Sequence, residues 1–204
     1  MVRIKVCGIT NFGDAVFAAD SGADALGFIF WEKSPRYIEP QKAAEIIAGL
    51  PPFLTCVGVF VDEDAEKVNA VIRVAALDAV QLHGNEPPGY CRQMSVRVIK
   101  ALRIRDIKDI EQMAGYEVSA FLLDAYKKGL PGGTGETFDW DTAVAAKEFG
   151  RIILSGGLTP DNVGDAVARV RPYGVDVSSG IEESPGKKDH AKVSAFIKEA
   201  RGLC

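Results

Sequence analysis

The 204-residue sequence is 47% hydrophobic and 25% charged, which is ordinary for a globular protein. With 24 Lys and Arg against 28 Asp and Glu, the formal net charge is −4, the wrong sign for a nucleic-acid-binding surface. Apolar runs are shorter than the roughly 18 residues that suggest a membrane span, and the N-terminus reads as a strand rather than a secretory signal. We therefore expect one cytoplasmic domain, residues 1–204, with neither a nucleic acid nor a membrane as partner.

The four cysteines and two histidines are scattered, without the spacing of a zinc site or a disulfide framework. Cys56 lies in an apolar strand pattern, where cysteine is typical core filling. We expect no metal ion at any of them. Cys7 differs from the others because it ends its strand among other reactive residues.

Eight short apolar or β-branched runs read as strands, and each is followed by a stretch with helical character. The runs are 3–8, 25–30, 54–60, 78–84, 97–102, 120–125, 151–157 and 174–180. Pro or Asp opens several helical stretches, as is common at helix N-termini. Strict alternation predicts a parallel sheet, and eight units favour a closed (β/α)₈ TIM barrel. Periodicity alone leaves an open doubly wound sheet as the alternative.

Polar and reactive residues gather at the carboxyl ends of the predicted strands, where such a barrel builds its active site. They are Cys7, His83, Asp124, Ser155, Gly156, Gly157, Ser178, Ser179 and Gly180. Two glycine-bearing turns, 154–162 and 176–186, follow the seventh and eighth strands. Glycine lets backbone N–H groups approach an anion closely, so these turns predict a phosphate site.

Side chains alternate along a strand, so Lys5 shares a face with Cys7, and Gln81 with His83. The same rule puts the polar residues inside the barrel and Ile4, Val6, Val80, Leu82, Leu123, Val175 and Val177 toward the helices. A buried lysine needs a partner. Because the first and eighth strands are neighbours in a closed barrel, we predict that Lys5 pairs with Asp176. This pair has either an architectural or a catalytic role.

Six motifs, in order and at compatible spacing, resemble those of the phosphoribosylanthranilate isomerase family of tryptophan biosynthesis. They are KVCGIT (5–10), GFIFWEKSPRYI (27–38), QLHGNE (81–86), LLDAYKKGLPGGTGETFDW (122–140), LSGGLTPDNV (154–163) and GVDVSSGIEESPGKKD (174–189). The resemblance implies an Amadori rearrangement of N-(5′-phosphoribosyl)anthranilate to 1-(2-carboxyphenylamino)-1-deoxyribulose 5-phosphate. It implies no metal or organic cofactor, a small phosphorylated substrate as the partner, and a monomer or homodimer.

The resemblance also implies that Asp124 is the general acid and Cys7 the general base. Asp124 must then hold its proton near neutral pH, which requires desolvation or nearby negative charge. Cys7 must lose its proton, which a nearby cation favours, and we expect Lys5 to lower the pKa of the thiol. Without the family motifs, a packed cysteine and a loop-capping aspartate would be the simpler interpretations.

Arg36 resembles the clamp for the anthranilate carboxylate, since guanidinium binds carboxylate through two hydrogen bonds. Its alternative is a surface arginine held by a proline turn. His83 matches a position lining the site, where it contacts substrate or makes a structural hydrogen bond. Gly132, Gly133 and Gly135 lie in a segment after the sixth strand that we expect to close over the substrate, a plain connection being the alternative.

Two other phosphosugar-barrel enzymes and one non-catalytic barrel fit this sequence less well. A pentose phosphate epimerase would need more histidines for its metal site, and the isomerase of histidine synthesis would carry an aspartate where Cys7 stands. A barrel that binds its ligand without turning it over would have lost Cys7 or Asp124, and both are present.

Overall fold

The computed structural model describes residues 1–104, 107–125 and 140–202. Eight parallel strands hydrogen-bond in chain order, and the eighth returns to the first, so the sheet is closed. They are β1 (Arg3–Cys7), β2 (Ala25–Ile29), β3 (Thr55–Phe60), β4 (Ala79–Leu82), β5 (Arg97–Ile104), β6 (Ala120–Ala125), β7 (Ile152–Ser155) and β8 (Gly174–Val177). The predicted (β/α)₈ barrel is confirmed, and the open sheet is excluded.

Helices cover the outside of the barrel. They are α1 (Phe12–Asp20), α2 (Pro40–Ala48), α3 (Ala65–Ala75), α4 (Pro88–Cys91), α5 (Trp140–Ala145), α6 (Val163–Val170) and α7 (His190–Arg201). The link between β5 and β6 carries a 3₁₀ helix, Ile107–Gly115, instead of the expected α-helix. A short hairpin, β9 (Glu182–Ser184) and β10 (Lys187–Lys188), follows β8. No helix in the described ranges is long and apolar enough to cross a membrane.

Local sequence explains where several helices begin. The side chains of Asn11, Asp64 and Asp189 each accept a hydrogen bond from a backbone N–H in the first turn of α1, α3 and α7. Pro40 and Pro88 occupy the first turn of α2 and α4, where a missing N–H costs no helical hydrogen bond.

Alternation along the strands sorts side chains into two layers. The residues predicted to face outward, Ile4, Val6, Val80, Leu82, Leu123, Val175 and Val177, all pack in the large core between sheet and helices. Inside the barrel a smaller cluster forms from Ala101, Ala120, Leu122 and Ile153. The predicted inward and outward faces are therefore confirmed, and the polar inward residues lie on the carboxyl side of the small cluster.

Truncating the interior layer should destabilise the whole barrel. Leu122→Ala removes a fully buried side chain and should lower the free energy of unfolding by about 3 kcal/mol, because a cavity remains in a closed sheet. Guanidinium denaturation measures this. Val74→Ala, on a half-exposed α3 position, serves as the matched control and should change stability by less than about 0.5 kcal/mol. Equal losses in the two variants would contradict the interior packing.

Candidate active site

A cavity of about 200 Å³ opens at the carboxyl ends of the strands. It is lined by every residue that the sequence singled out for the site: Cys7, Arg36, His83, Asp124, Gly156, Gly157, Ser179 and Gly180. These residues come from β1, β6 and the loops after β2, β4, β7 and β8. A broader polar cavity of about 490 Å³ lies beside it, and His83 borders both. The candidate glycines 132, 133 and 135 lie outside the described residues.

A buried ion pair lies in the floor of the cavity. Lys5 Nζ is 2.8 Å from Asp176 Oδ1, and the two side chains are only 4% and 7% exposed. The register of β1 on β8 places these residues side by side, and Ser155 Oγ donates to the other Asp176 oxygen at 3.2 Å. Burial lowers the pKa of Lys5, but the negative partners Asp176 and Cys7 outweigh it and raise the pKa above its ordinary value. The predicted pair is confirmed, and its lysine is charged.

The Cys7 thiol lies at the end of β1, buried beside this pair. Burial raises the pKa of Cys7, whereas Lys5 and, more weakly, Lys188 lower it. The net direction is upward. Lys5 thus acts on the thiol as expected, but its charge does not offset the loss of hydration, since desolvation disfavours the thiolate.

Asp124 belongs to a line of three hydrogen-bonded side chains. Its Oδ2 lies 3.2 Å from His83 Nε2, and His83 Nδ1 lies 2.8 Å from Gln81 Nε2. The Asp124 side chain is 31% exposed, so the desolvation expected of a proton-holding acid is only partial. His83 both lines the cavity and makes the structural hydrogen bond that was its alternative role.

Arg36 is held by a carboxylate from the other side of the cavity mouth. Its Nε and Nη2 donate to Glu182 at 2.8 and 2.6 Å, while the side chain is 20% exposed. Lys188 Nζ reaches Glu182 Oε1 at 2.9 Å and the carbonyl oxygen of Cys7 at 2.6 Å. Burial raises the pKa of Glu182, but Arg36 and Lys188 outweigh it and hold the pKa below its ordinary value. Arg36 is therefore a fixed cation in the cavity wall, unlike the surface arginine considered from sequence.

The two glycine turns form the wall between Asp124 and Cys7. The predicted seventh and eighth strands were too long, because β7 ends at Ser155 and β8 at Val177. Gly156 and Gly157 follow with φ of 85° and 69°, a left-handed backbone that glycine adopts without strain. A Cβ at Gly180 would overlap the carbonyl oxygen of Leu158, so the two turns touch each other backbone to backbone. These glycines line the cavity without side chains, which leaves the backbone of both turns accessible from it.

The comparisons with known proteins agree with this geometry. The family profile described as N-(5′-phosphoribosyl)anthranilate isomerase matches residues 4–199. The chain belongs to this family. An N-(5′-phosphoribosyl)anthranilate isomerase of Geotalea uraniireducens is 57% identical over 203 residues, covering 100% of both chains. The family, the isomerase activity and its place in tryptophan biosynthesis, all expected from the motifs, are confirmed.

Solved isomerase structures have the same fold. One contains monomers generated from the dimeric phosphoribosylanthranilate isomerase of Thermotoga maritima; it is 46% identical, with a TM-score of 0.90 and complete coverage of both chains. Another isomerase was solved in complex with reduced 1-(o-carboxyphenylamino)-1-deoxyribulose 5-phosphate; it is 45% identical, with a TM-score of 0.89 and complete coverage. Isomerases of this family therefore include a dimer and bind a phosphorylated ligand.

Sequence reasoning missed the charges that hold this isomerase's loops in place. Glu182 and Lys188 fix Arg36 and the end of β1, and Glu86 binds Lys100 at 2.7 Å below the loop after β4. In the sequence, Glu182 and Lys188 each stand next to a residue of the same type. The hairpin of β9 and β10 determines that Glu182 and Lys188 are buried, while their neighbours Glu183 and Lys187 are exposed.

The raised pKa of Cys7 predicts slow alkylation at neutral pH. Reaction with iodoacetamide should rise with pH along a curve displaced upward from the roughly 8.5 of a free thiol. In Lys5→Met/Asp176→Asn, which removes the buried pair together, the curve should move further upward, because Lys5 lowers the pKa more than Asp176 raises it. Labelling followed by peptide mass spectrometry measures both curves, with Cys7→Ala as the blank. A curve unchanged in the double variant would mean that the two charges cancel at the thiol and would contradict the larger effect of Lys5.

Proposed function

We propose that this cavity is where the chain isomerises N-(5′-phosphoribosyl)anthranilate, with Asp124 as general acid and Cys7 as general base. The observation that carries the assignment is the order of parts around the barrel. Neighbouring strands β6, β7, β8 and β1 supply, in turn, a carboxyl group, two glycine turns and a thiol to one cavity. An acid and a base flanking an anion site is the arrangement that ring opening and proton abstraction on a sugar phosphate require.

Asp124 acts first in this proposal. Its carboxyl group gives a proton to the furanose ring oxygen as the bond from that oxygen to C1 breaks. The nitrogen lone pair of the anthranilate forms the C1–N double bond, which yields an open-chain Schiff base with a protonated nitrogen. His83 holds the Asp124 carboxyl group from the side through Oδ2.

Cys7 acts second. Its thiolate removes the proton from C2, the bonding electrons form a C1–C2 double bond, and the nitrogen becomes neutral in an enolamine. Tautomerisation to the ketone then places a proton on C1 and releases one from the C2 hydroxyl. The thiolate is the reactive form, so Lys5 helps the base by favouring ionisation against the effect of burial.

The two charged ends of the substrate are bound by different groups, the phosphate by backbone atoms and the carboxylate by a guanidinium. We assign the phosphate to the backbone of Gly156, Gly157, Ser179 and Gly180, which line one side of the cavity. The anthranilate carboxylate is assigned to Arg36, whose guanidinium keeps N–H groups beyond those bound to Glu182.

An activity assay tests the proposal directly. Loss of anthranilate fluorescence on addition of the protein to phosphoribosylanthranilate reports the rearrangement. Cys7→Ala and Asp124→Asn should each lower kcat by at least about 100-fold, because each removes one proton-transfer group. Persistent turnover in Cys7→Ala would require another base, and persistent turnover in Asp124→Asn another acid. A folded wild-type protein without turnover would leave a barrel that only binds phosphorylated ligands.

Replacing Arg36 should weaken substrate binding more than it slows the chemistry. Arg36→Met is expected to raise KM by about 10- to 100-fold with a smaller change in kcat, because a charge-assisted pair with the carboxylate is lost. Arg36→Lys keeps the charge without the planar fork and should fall between wild type and Arg36→Met. Steady-state kinetics measures both. A product analogue without the carboxyl group should bind wild type and Arg36→Met equally; a preference for wild type would contradict the assignment.

We propose that residues 1–204 form one catalytic domain that works in the cytoplasm as a monomer or homodimer. The family profile over residues 4–199 supports the single domain, and the dimeric Thermotoga maritima relative supports the homodimer. The partner is the small phosphorylated substrate, without nucleic acid, membrane, metal or organic cofactor.

A further inference from the structure

Gln81 is a buried amide to which the mechanism above gives no role. It lies on β4 between Val59 of β3 and Ile99 of β5, and its side chain is buried and borders the cavity. Its Nε2 contacts His83 Nδ1 at 2.8 Å. Its Oε1 is buried without a hydrogen-bond partner among the described residues. The contact of Nε2 with the His83 ring is therefore the hydrogen bond that the described residues offer to this buried amide.

The contact with His83 determines where that ring carries its proton. Because Gln81 Nε2 can only donate, His83 Nδ1 must accept, and a neutral imidazole then bears its single proton on Nε2. His83 Nε2 is the atom 3.2 Å from Asp124 Oδ2. The three side chains therefore form a hydrogen-bond chain with one direction, from the amide through the ring to the carboxyl group.

This order of donors and acceptors leaves Asp124 free to give its proton to a substrate. An Oδ2 that accepts from His83 leaves the acidic proton of Asp124 on Oδ1. In the opposite tautomer, Nε2 would present a lone pair to Asp124 and attract the same proton toward the ring. The ring would then compete with the furanose oxygen for the proton.

We propose that Gln81 is a positioning residue for the acid step: by donating to Nδ1 it keeps His83 neutral and protonated on Nε2. Asp124 then keeps its transferable proton on Oδ1. This inference rests on the proposed role of Asp124 as general acid. It also explains why an amide stands at this position, since a carboxylate of the same length would accept from Nδ1–H and favour a doubly protonated, cationic ring.

Nitrogen NMR of the histidine rings tests the inference without relying on activity. The chain has only two histidines, so spectra of His190→Gln assign the His83 signals. In wild type, Nε2 should carry the proton, and Nδ1 should appear as an unprotonated nitrogen shifted upfield by the hydrogen bond that it accepts. A proton on Nδ1 with none on Nε2 would overturn the proposal.

Two variants of similar side-chain length separate the amide's hydrogen bond from its volume. In Gln81→Met the Nδ1 signal should move downfield, and kcat should fall about tenfold with little change in KM. In Gln81→Glu both ring nitrogens should be protonated at neutral pH, and kcat should fall about 100-fold because a cation beside Asp124 favours loss of its proton. An Nδ1 signal unmoved in Gln81→Met would overturn the proposal even if kcat fell.

The wild-type data keep the two proposals distinguishable. If folded wild type shows no turnover, the proposed function fails whatever the His83 tautomer is. If wild type is active, Asp124→Asn is inactive and His83 carries its proton on Nδ1, only the role of Gln81 fails. Circular dichroism and a cooperative thermal transition check that each variant is folded, and the wild-type spectrum decides the matter where a variant does not fold.

Discussion

The buried pair of Lys5 and Asp176 is the interaction on which the rest of the mouth depends. An ammonium inside a barrel is costly unless a carboxylate meets it, and removing one partner of such a pair typically costs several kcal/mol, about 3–5. The two residues meet only because β1 and β8 close in register. Closure of the sheet therefore brings Asp176 to Lys5, and the charged pair that results sets the electrostatics at Cys7.

Two more buried lysines around the mouth of the barrel are paired with carboxylates. Lys100 binds Glu86 together with the carbonyl oxygens of Leu82 and Gly84. Lys188 binds Glu182 and the carbonyl oxygen of Cys7. Lys100 and Lys188 thus each join the carboxyl end of a barrel strand to a carboxylate outside the barrel sheet. Loops fixed in this way hold polar groups at defined positions, which catalysis by orientation requires.

Sequence periodicity predicted the barrel, its faces and the Lys5–Asp176 pair, because alternation and strand order are local or topological properties. The strand-end rule placed seven of the eight site residues around one cavity for the same reason, whereas Arg36 came from the family resemblance. Sequence reasoning did not predict that Arg36 would be bound by Glu182, since that contact joins the loop after β2 to the hairpin after β8. It assigned the glycines after the seventh and eighth strands to turns, but it drew both strands too far, through Gly157 and Gly180, because an apolar run does not reveal where strand pairing ends. Burial at Cys7 depends on packing from several elements, so the direction of its pKa could not be read from neighbours in the sequence.

The arc of β6, β7, β8 and β1 joins the last strands of the chain to the first. On the ribosome, β1 leaves the exit tunnel long before β8 is translated. Lys5 therefore lacks its partner Asp176 during most of synthesis. A nascent chain that carries six or seven strands has an open sheet and lacks the glycine turn after β8. The cavity is therefore complete only once β8 has been made, because Asp176 lies on this strand and the second glycine turn follows it.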